Sequence, residues 1–242
     1  VIDPNGEPVT DDVYVMGSCP ECGFMAVRTN GEGRFALGPL VPASYSLTTN
    51  ATFMTGFQNC QKQLVEAGAS EVELRLRFGA ALRGKVIDGL SGDSTDVDLV
   101  LSWPATAEDP YPFLMTATRN GEFEFKGLGA RTYTIFASDS AGKAGFLQVA
   151  LADPIDSEEL QVWLEPGGVV EISCIGKEEY GQFQVSTEGM IVGADGILSG
   201  TKREFVVPVG RTRVTQNNGE EVLEQFVDVR SCETQTVKFG TD

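Results

Sequence analysis

A pattern of residues repeats in this chain at a constant spacing, and this repetition constrains the fold more than any other feature. Phe35 and Phe123, Leu40 and Leu128, and Tyr45 and Tyr133 are each 88 positions apart. Val1-Ile2-Asp3 and Val86-Ile87-Asp88 open the two copies, and Asn30-Gly31 and Asn120-Gly121 lie before the two phenylalanines. A period of this length predicts an array of similar structural units.

A third, degenerate copy follows the first two. Val170-Glu171-Ile172 opens it, Gly193-Ala194-Asp195-Gly196 supplies a turn, and Thr212 stands where the other copies have tyrosine. With boundaries near Phe78 and Gly167-Gly168, the copies span 1–77, 78–167 and 168–242.

Each copy alternates apolar and polar residues over short runs, as at Val97, Leu99 and Leu101. Period-two alternation between Asn-Gly, Asp-Gly and Gly-Gly turns predicts half-buried strands. Asn-Gly favours a two-residue hairpin turn, because both positions tolerate a positive φ. The sequence therefore predicts an all-β chain of three tandem small β-sandwich domains.

The motif that carries the repeat resembles the carboxypeptidase regulatory-like (transthyretin-like) β-sandwich family. The matching residues in the first copy are Val1, Asp3, Gly6, Pro8, Gly31, Phe35, Leu37, Leu40, Tyr45 and Leu47. The resemblance implies Ig-like or transthyretin-like sandwiches that serve as tandem, non-catalytic modules of secreted or surface proteins.

The start of the first copy differs from that of the second. Ala80–Lys85 precede the Val-Ile-Asp segment of the second copy and complete a first strand, whereas the first copy begins at Val1. Half a missing strand would leave an unpaired sheet edge. We therefore expect the chain to be a section of a longer protein with modules upstream.

Charge and composition exclude several functions. The chain has 18 Lys and Arg against 35 Asp and Glu, a net charge of −17, and no His. Such a chain repels phosphate backbones and anionic lipids, which argues against nucleic-acid partners and membrane binding. No apolar run approaches the length of a spanning helix. Recognisable catalytic motifs are missing as well, which predicts that the protein is not an enzyme.

Cys19-Pro20-Glu21-Cys22 is the sharpest local motif. A disulfide from Cys60 to Cys19 or Cys22 would staple a loop of a secreted domain. A zinc knuckle, a redox-active pair and free thiols are the alternatives. Cys174 and Cys232, near the first and last strands of the third copy, form a second candidate bridge. Five cysteines leave one thiol free or paired with another chain.

Two further clusters are candidate binding sites. Asp88, Asp93, Asp96 and Asp98 lie in a Gly/Ser-rich loop and could supply oxygens to Ca²⁺, although Asp also favours turns. Trp103, Tyr111 and Phe113 flank a proline-rich loop and could stack on sugars; the alternative is that their rings face the core. No other cofactor is predicted.

Together these patterns predict a non-catalytic section of an extracellular or cell-surface protein. Its modules would act in spacing, adhesion or assembly, with self-association through sheet edges or contacts with neighbouring modules. A carbohydrate-binding module and a calcium-rigidified linker are the alternative hypotheses.

Overall fold

The computed structural model describes residues 1–11, 13–51, 55–104, 113–152, 159–174, 180–187, 190–198, 201–217 and 222–239. The described residues form twenty β-strands and no helix. The predicted all-β class is therefore confirmed.

The first copy contains six strands. They are β1 (Tyr14–Cys19), β2 (Gly23–Arg28), β3 (Ser44–Asn50), β4 (Phe57–Gln58), β5 (Gln63–Glu66) and β6 (Arg77–Phe78). Four of them form an antiparallel sheet in the order β2-β1-β3-β5. Ile2 adds an isolated parallel bridge to Arg75. The opening segment of the copy thus runs beside its closing segment.

The second copy contains seven strands. They are β7 (Ala80–Asp88), β8 (Asp98–Ser102), β9 (Phe113–Ala117), β10 (Glu122–Leu128), β11 (Thr132–Ser138), β12 (Lys143–Ala150) and β13 (Leu160–Pro166). β7 includes the Ala80–Lys85 segment, as expected. The strand order is β10-β7-β13-β12-β11-β8-β9, and β13 pairs in parallel with β7.

The third copy repeats this order in two sheets. Its strands are β14 (Gly168–Cys174), β15 (Tyr180–Thr187), β16 (Met190–Leu198), β17 (Lys202–Val207), β18 (Gly210–Asn217), β19 (Val222–Val229) and β20 (Thr234–Phe239). The sheets are β17-β14-β20 and β16-β15-β18-β19, with β14 parallel to β20. First and last strands therefore lie side by side here too.

The chain divides into two compact units. The first comprises Val1–Arg83, Glu124–Ala130 and Leu151–Glu158, and the second comprises Gly84–Phe123, Arg131–Ala150 and Glu159–Asp242. The three predicted domains and their boundaries near Phe78 and Gly167 stay predictions.

The core of the first unit gathers the residues that alternate in the first copy. Val13 and Val15 are fully buried, and Tyr45 is 2% exposed. The Tyr45 hydroxyl donates a hydrogen bond to the Val41 carbonyl at 3.4 Å. A buried ring with its hydroxyl on a backbone oxygen is the arrangement that we expect for this repeated tyrosine.

The second unit has a core that draws on both the second and the third copies. Val100, Phe136 and Ala144 of the second copy form one cluster with residues that all lie beyond Gly168. These are Val170, Ile172, Phe183, Val185, Val192, Val207, Val214, Val229, Val237 and Phe239. Both faces of β8 and β11 are therefore buried.

Gly167, the residue before β14, is hydrogen-bonded through its amide and its carbonyl to the backbone of two other segments. The Gly167 amide donates to the Gly142 carbonyl at 2.9 Å, and the Gly167 carbonyl accepts from the Cys232 amide at 2.7 Å. A Cβ added at Gly168 would come within 2.4 Å of the Arg230 carbonyl oxygen. Only glycine fits so close to another backbone.

Candidate functional site

The aspartate of each Val-Ile-Asp segment caps the turn that follows it. The Asp3 carboxylate accepts from the amides of Asn5 and Glu7 at 2.8 and 2.9 Å. The Asp88 carboxylate accepts from the amide of Leu90 at 2.8 Å. The Glu7 amide holds the pKa of Asp3 below its usual value. The repeated aspartate thus stabilises a turn.

Asp88 also forms an ion pair with Lys143 on β12. Both side chains are largely buried, at 16% and 22% exposed. The hydrogen bond from the Lys143 ammonium is the main reason that the pKa of Asp88 lies below its usual value, and the Leu90 amide adds to it. The pair ties the end of β7 to β12.

The four aspartates proposed for calcium serve separate contacts. The Asp96 carboxylate accepts from the Gly121 amide at 2.8 Å, and the backbone of Asp93 accepts from the Asp88 amide at 2.9 Å. Asp98 is exposed at the start of β8. Among the described residues, no group of three or more acidic, Cys or His side chains converges as a metal site requires. Calcium binding stays a prediction.

The disulfide of the structure joins Cys19 to Cys22, a pairing that the sequence analysis did not favour. Cys19 ends β1 and Cys22 precedes β2, so the turn between the two strands brings their Cα atoms within 5.1 Å. Cα atoms at this separation suit a disulfide. The bond closes the β1–β2 hairpin.

Cys60 is a buried free thiol, because it lies at the other end of the sheet. Its amide donates to the Thr49 hydroxyl at 2.9 Å, and Thr49 pairs with Val15. Cys19 is four residues farther along β1, which corresponds to roughly 13 Å at the rise of a β-strand. The predicted bridge from Cys60 to Cys19 or Cys22 is therefore wrong: Cys19 and Cys22 are bonded to each other, and the strand register places Cys60 far from Cys19.

Cys232 is an exposed free thiol, so the prediction of a bridge between Cys232 and Cys174 is wrong as well. β14 and β20 are parallel, and Val169 pairs with Thr234 while Cys174 pairs with Phe239. Cys174 thus ends one strand and Cys232 precedes the start of the other. Phe239, which pairs with Cys174, is seven residues from Cys232, and the five residues of strand from Thr234 to Phe239 alone span roughly 17 Å. The positions of the two cysteines in the sequence did not indicate that the two strands are parallel.

The aromatic residues of the proline-rich loop have partners within the second unit. The Trp103 ring packs edge-on against the Tyr133 ring at 5.8 Å, and the Arg131 guanidinium lies 5.9 Å from its centre. Phe113 is half-buried against the core that the two copies share. Tyr111 lies outside the described residues. Glycan binding by this loop stays a prediction.

Three apolar side chains of the edge strand β19 are exposed. Val222, Leu223 and Phe226 are 58%, 38% and 51% exposed. The Arg211 guanidinium lies over the Phe226 ring at 4.5 Å. β19 pairs with β18 on one side and is the last strand of its sheet. Its eight residues contain no Pro or Gly to interrupt the edge, and Glu224 and Asp228 are its two charged residues.

A buried threonine recurs in the first two copies, and the sequence patterns described above did not predict its role. The Thr29 hydroxyl accepts from the Val13 amide at 3.2 Å, and the Thr118 hydroxyl accepts from the Val97 amide at 2.8 Å. Each threonine is 5% exposed. A threonine directly before each Asn-Gly or Arg-Asn-Gly turn was the available signal.

The described part of the chain has no helix with the length and hydrophobicity of a membrane span. No protein-family model matches the sequence, and no curated protein matches it either. The resemblance to the carboxypeptidase regulatory-like family therefore stays a prediction.

Several solved structures are similar to this chain at low identity. The Bacillus anthracis TIE protein is 15% identical, with 98% of this chain and 48% of that one covered and a TM-score of 0.30. This chain thus spans about half of its length. The shaft pilin spaA from Lactobacillus rhamnosus GG is 9% identical, with 66% and 89% covered and a TM-score of 0.32.

BcpA, the major pilin subunit of Bacillus cereus, is 10% identical to this chain. The alignment covers 98% of this chain and 96% of that one, with a TM-score of 0.25. Scores this low do not establish a common fold, so the fold class rests on the strands and sheets described above.

Proposed function

We propose that this chain is a non-catalytic module of an extracellular or cell-surface protein and that it associates with other subunits through sheet edges. The observation that carries the proposal is β19, the last strand of its sheet, with Val222, Leu223 and Phe226 exposed. The unpaired backbone groups of an edge strand are a template for pairing with another strand.

The disulfide supports the extracellular part of the proposal. Cys19 and Cys22 are bonded to each other, and structural disulfides persist in oxidising compartments and are rare in the cytosol. The bond closes the β1–β2 hairpin, and the residues that follow Cys22 form a strand. A redox-active pair ordinarily lies at a helix N-terminus, where the thiol pKa is depressed.

The charge of the chain sets the conditions for association. At a net charge of −17, copies repel one another at low ionic strength, and salt screens this repulsion. Burial of apolar side chains along β19 is not weakened by screening. We therefore expect association to strengthen between low and physiological salt.

Sedimentation velocity over a range of concentrations tests the proposal. The native chain should form dimers or larger species as concentration rises, and the double variant Leu223→Lys with Phe226→Lys should stay monomeric. Leu90→Lys is the matched control, because Leu90 is 75% exposed in a turn rather than in an edge strand. A native chain that is monomeric at every concentration would refute the assembly role, and so would association unaffected by the double variant.

A further inference from the structure

The sheet β2-β1-β3-β5 of the first unit has one face on the core and one face exposed. Val15, Tyr45 and Leu47 point into the core and are buried. The alternate residues lie on the opposite face, which we call the outer face, and the pairing registers arrange them in rows across the strands. These rows are Phe24-Ser18-Ser46-Leu64, Ala26-Met16-Thr48, Arg28-Tyr14-Asn50 and Ser44-Glu66.

Large apolar side chains lie exposed toward the margins of the outer face. Phe24, Leu64 and Tyr14 are 68%, 76% and 40% exposed. Phe24 lies opposite Ser18, which is four residues along β1 from Tyr14, so the two aromatic residues are separated by roughly 14 Å along the strands. A single ligand that contacts both rings must therefore be extended.

Hydroxyl groups occupy the middle of the outer face. Within the described part of the chain, the side chains of Ser18, Ser46 and Thr48 have no hydrogen-bond partner. The Ser44 hydroxyl, at the corner, donates to the Glu66 carboxylate. Because a hydroxyl both donates and accepts, the three central groups can exchange hydrogen bonds with a ligand that carries hydroxyls itself.

The charge and the size of the outer face favour a neutral and narrow ligand. Arg28 and Glu66, at opposite corners, are its two charged residues, so its net charge is zero in a chain of −17. Four strands and four rows give a footprint of roughly 300 Å², whereas a stable protein interface takes about 800 Å² from each partner. A neutral chain-like molecule fits this face better than a second protein surface does.

The corresponding face of the second copy is covered by protein and differs at its centre. Thr48 and Phe136 are 88 positions apart, and their partners on the neighbouring strand are Met16 and Val100. Val100 and Phe136 are 4% and 1% exposed and share a core with residues of the third copy. Met16 and Thr48 are only half-buried. Burying the Thr48 hydroxyl under apolar side chains would cost free energy, whereas a saccharide offers it hydrogen-bond partners.

We infer that the outer face of the first copy binds a neutral, linear chain of β-1,4-linked sugars. The flat C–H faces of the sugar rings stack on Phe24 and Tyr14, and the sugar hydroxyls exchange hydrogen bonds with Ser18, Ser46 and Thr48. A β-1,4 linkage holds successive rings in an extended ribbon, so one chain reaches both aromatic residues. This site is separate from the aromatic loop of the second copy and from the edge strand β19.

Calorimetric titration with hexasaccharides of β-1,4-linked glucose, N-acetylglucosamine and xylose is the direct probe. Titration into the full chain carrying Leu223→Lys and Phe226→Lys keeps self-association through β19 out of the measurement. We expect at least one of the three to bind with a dissociation constant below about 1 mM. Its affinity should change less than about twofold between low and high salt, because no ion pair is formed. A hexasaccharide of galacturonate, which is anionic, should not bind.

Variants of the chain locate the site. Phe24→Ala should weaken binding about three- to tenfold, and Ser46→Ala about two- to tenfold. Tyr14→Phe keeps the ring and should bind within about twofold of the unsubstituted chain. Phe146→Ala is the matched control, because Phe146 is an exposed phenylalanine of the second unit, and it should leave binding unchanged.

Phe24 is 68% exposed, so Phe24→Ala should melt at the same temperature as the parent chain, which separates a lost contact from a lost fold. No binding of any of the three neutral hexasaccharides, or equal effects of Phe24→Ala and Phe146→Ala, would overturn the inference. Self-association that Phe24→Ala abolishes would assign the outer face to contacts between copies of the chain and would overturn it too.

Discussion

The α-amine of Val1 donates a hydrogen bond to the carbonyl oxygen of Gly33 at 2.5 Å. In the second copy the Val86 amide donates to the Gly121 carbonyl at 2.8 Å. The glycines are 88 residues apart, as are the phenylalanines that follow them. The opening segments of both copies are therefore held in the same register against the turn before Phe35 or Phe123.

The buried threonine of the second copy contributes to stability through its hydroxyl. Thr118→Ala leaves the Val97 amide without its 2.8 Å acceptor, and we expect a loss of about 1–2 kcal/mol in the free energy of unfolding. Thr116→Ala, on the exposed side of β9, should cost about 0.5 kcal/mol or less. Urea unfolding of both variants measures the difference; equal losses would show that the buried hydrogen bond is unimportant.

Phe136 connects the two copies that make up the second unit. It is 1% exposed in the shared core, so Phe136→Ala should lower the free energy of unfolding by about 3–5 kcal/mol. Amide exchange should accelerate in the strands of both copies. Phe146→Ala is the control, since Phe146 pairs with Phe136 across β11 and β12 but is 43% exposed. Faster exchange confined to residues 84–150 would contradict a shared core.

The Asp88–Lys143 ion pair makes the stability of the fold depend on pH. The pKa of Asp88 is lower in the folded protein than its ordinary value of 3.8. The pair therefore stabilises the fold above that value, and this contribution is lost as the pH falls through the lower, folded-state pKa. Asp88→Asn should be less stable than the native chain at pH 7, and the difference should shrink below about pH 4. Lys143→Met should reproduce that convergence; a difference constant down to pH 2 would contradict it.

The free thiols should differ strongly in reactivity. Cys232 is exposed and Cys60 is 4% exposed, so a maleimide should modify Cys232 within minutes and Cys60 only after unfolding in urea. Cys19 and Cys22 should react only after reduction. Peptide mapping by mass spectrometry assigns the labels, with Cys232→Ser as the control. Rapid labelling of Cys60, or labelling of Cys19 without reductant, would show a different pairing.

Much of the fold could be predicted because local signals and packing agree. Val13 and Val15 alternate in the sequence and are buried, and Ala80–Lys85 extend the first strand of the second copy. At Asn120-Gly121 both residues have a positive φ, as the hairpin rule requires. At Asn30-Gly31 the rule was wrong: the turn is one residue longer, and Gly33 takes the positive φ instead.

Contacts between distant segments were harder to predict. The shared core of the second unit depends on Val100 and Phe136, which lie in the uninterrupted apolar runs Leu99–Leu101 and Ile135–Ala137. Such runs indicate strands buried on both faces, and that signal was available. The cysteine pairings depend on strand direction and register, which cysteine spacing alone does not determine.

Hydrogen exchange of the β19 amides at low and high protein concentration tests assembly through this edge most directly. If copies pair along β19, the outward-facing amides of Val222–Val229 gain hydrogen-bond partners, and their exchange should slow as concentration rises. Exchange in the β1–β2 hairpin, distant in sequence from this edge, should not change. Exchange of β19 that is independent of concentration, in a sample shown to associate, would contradict the account.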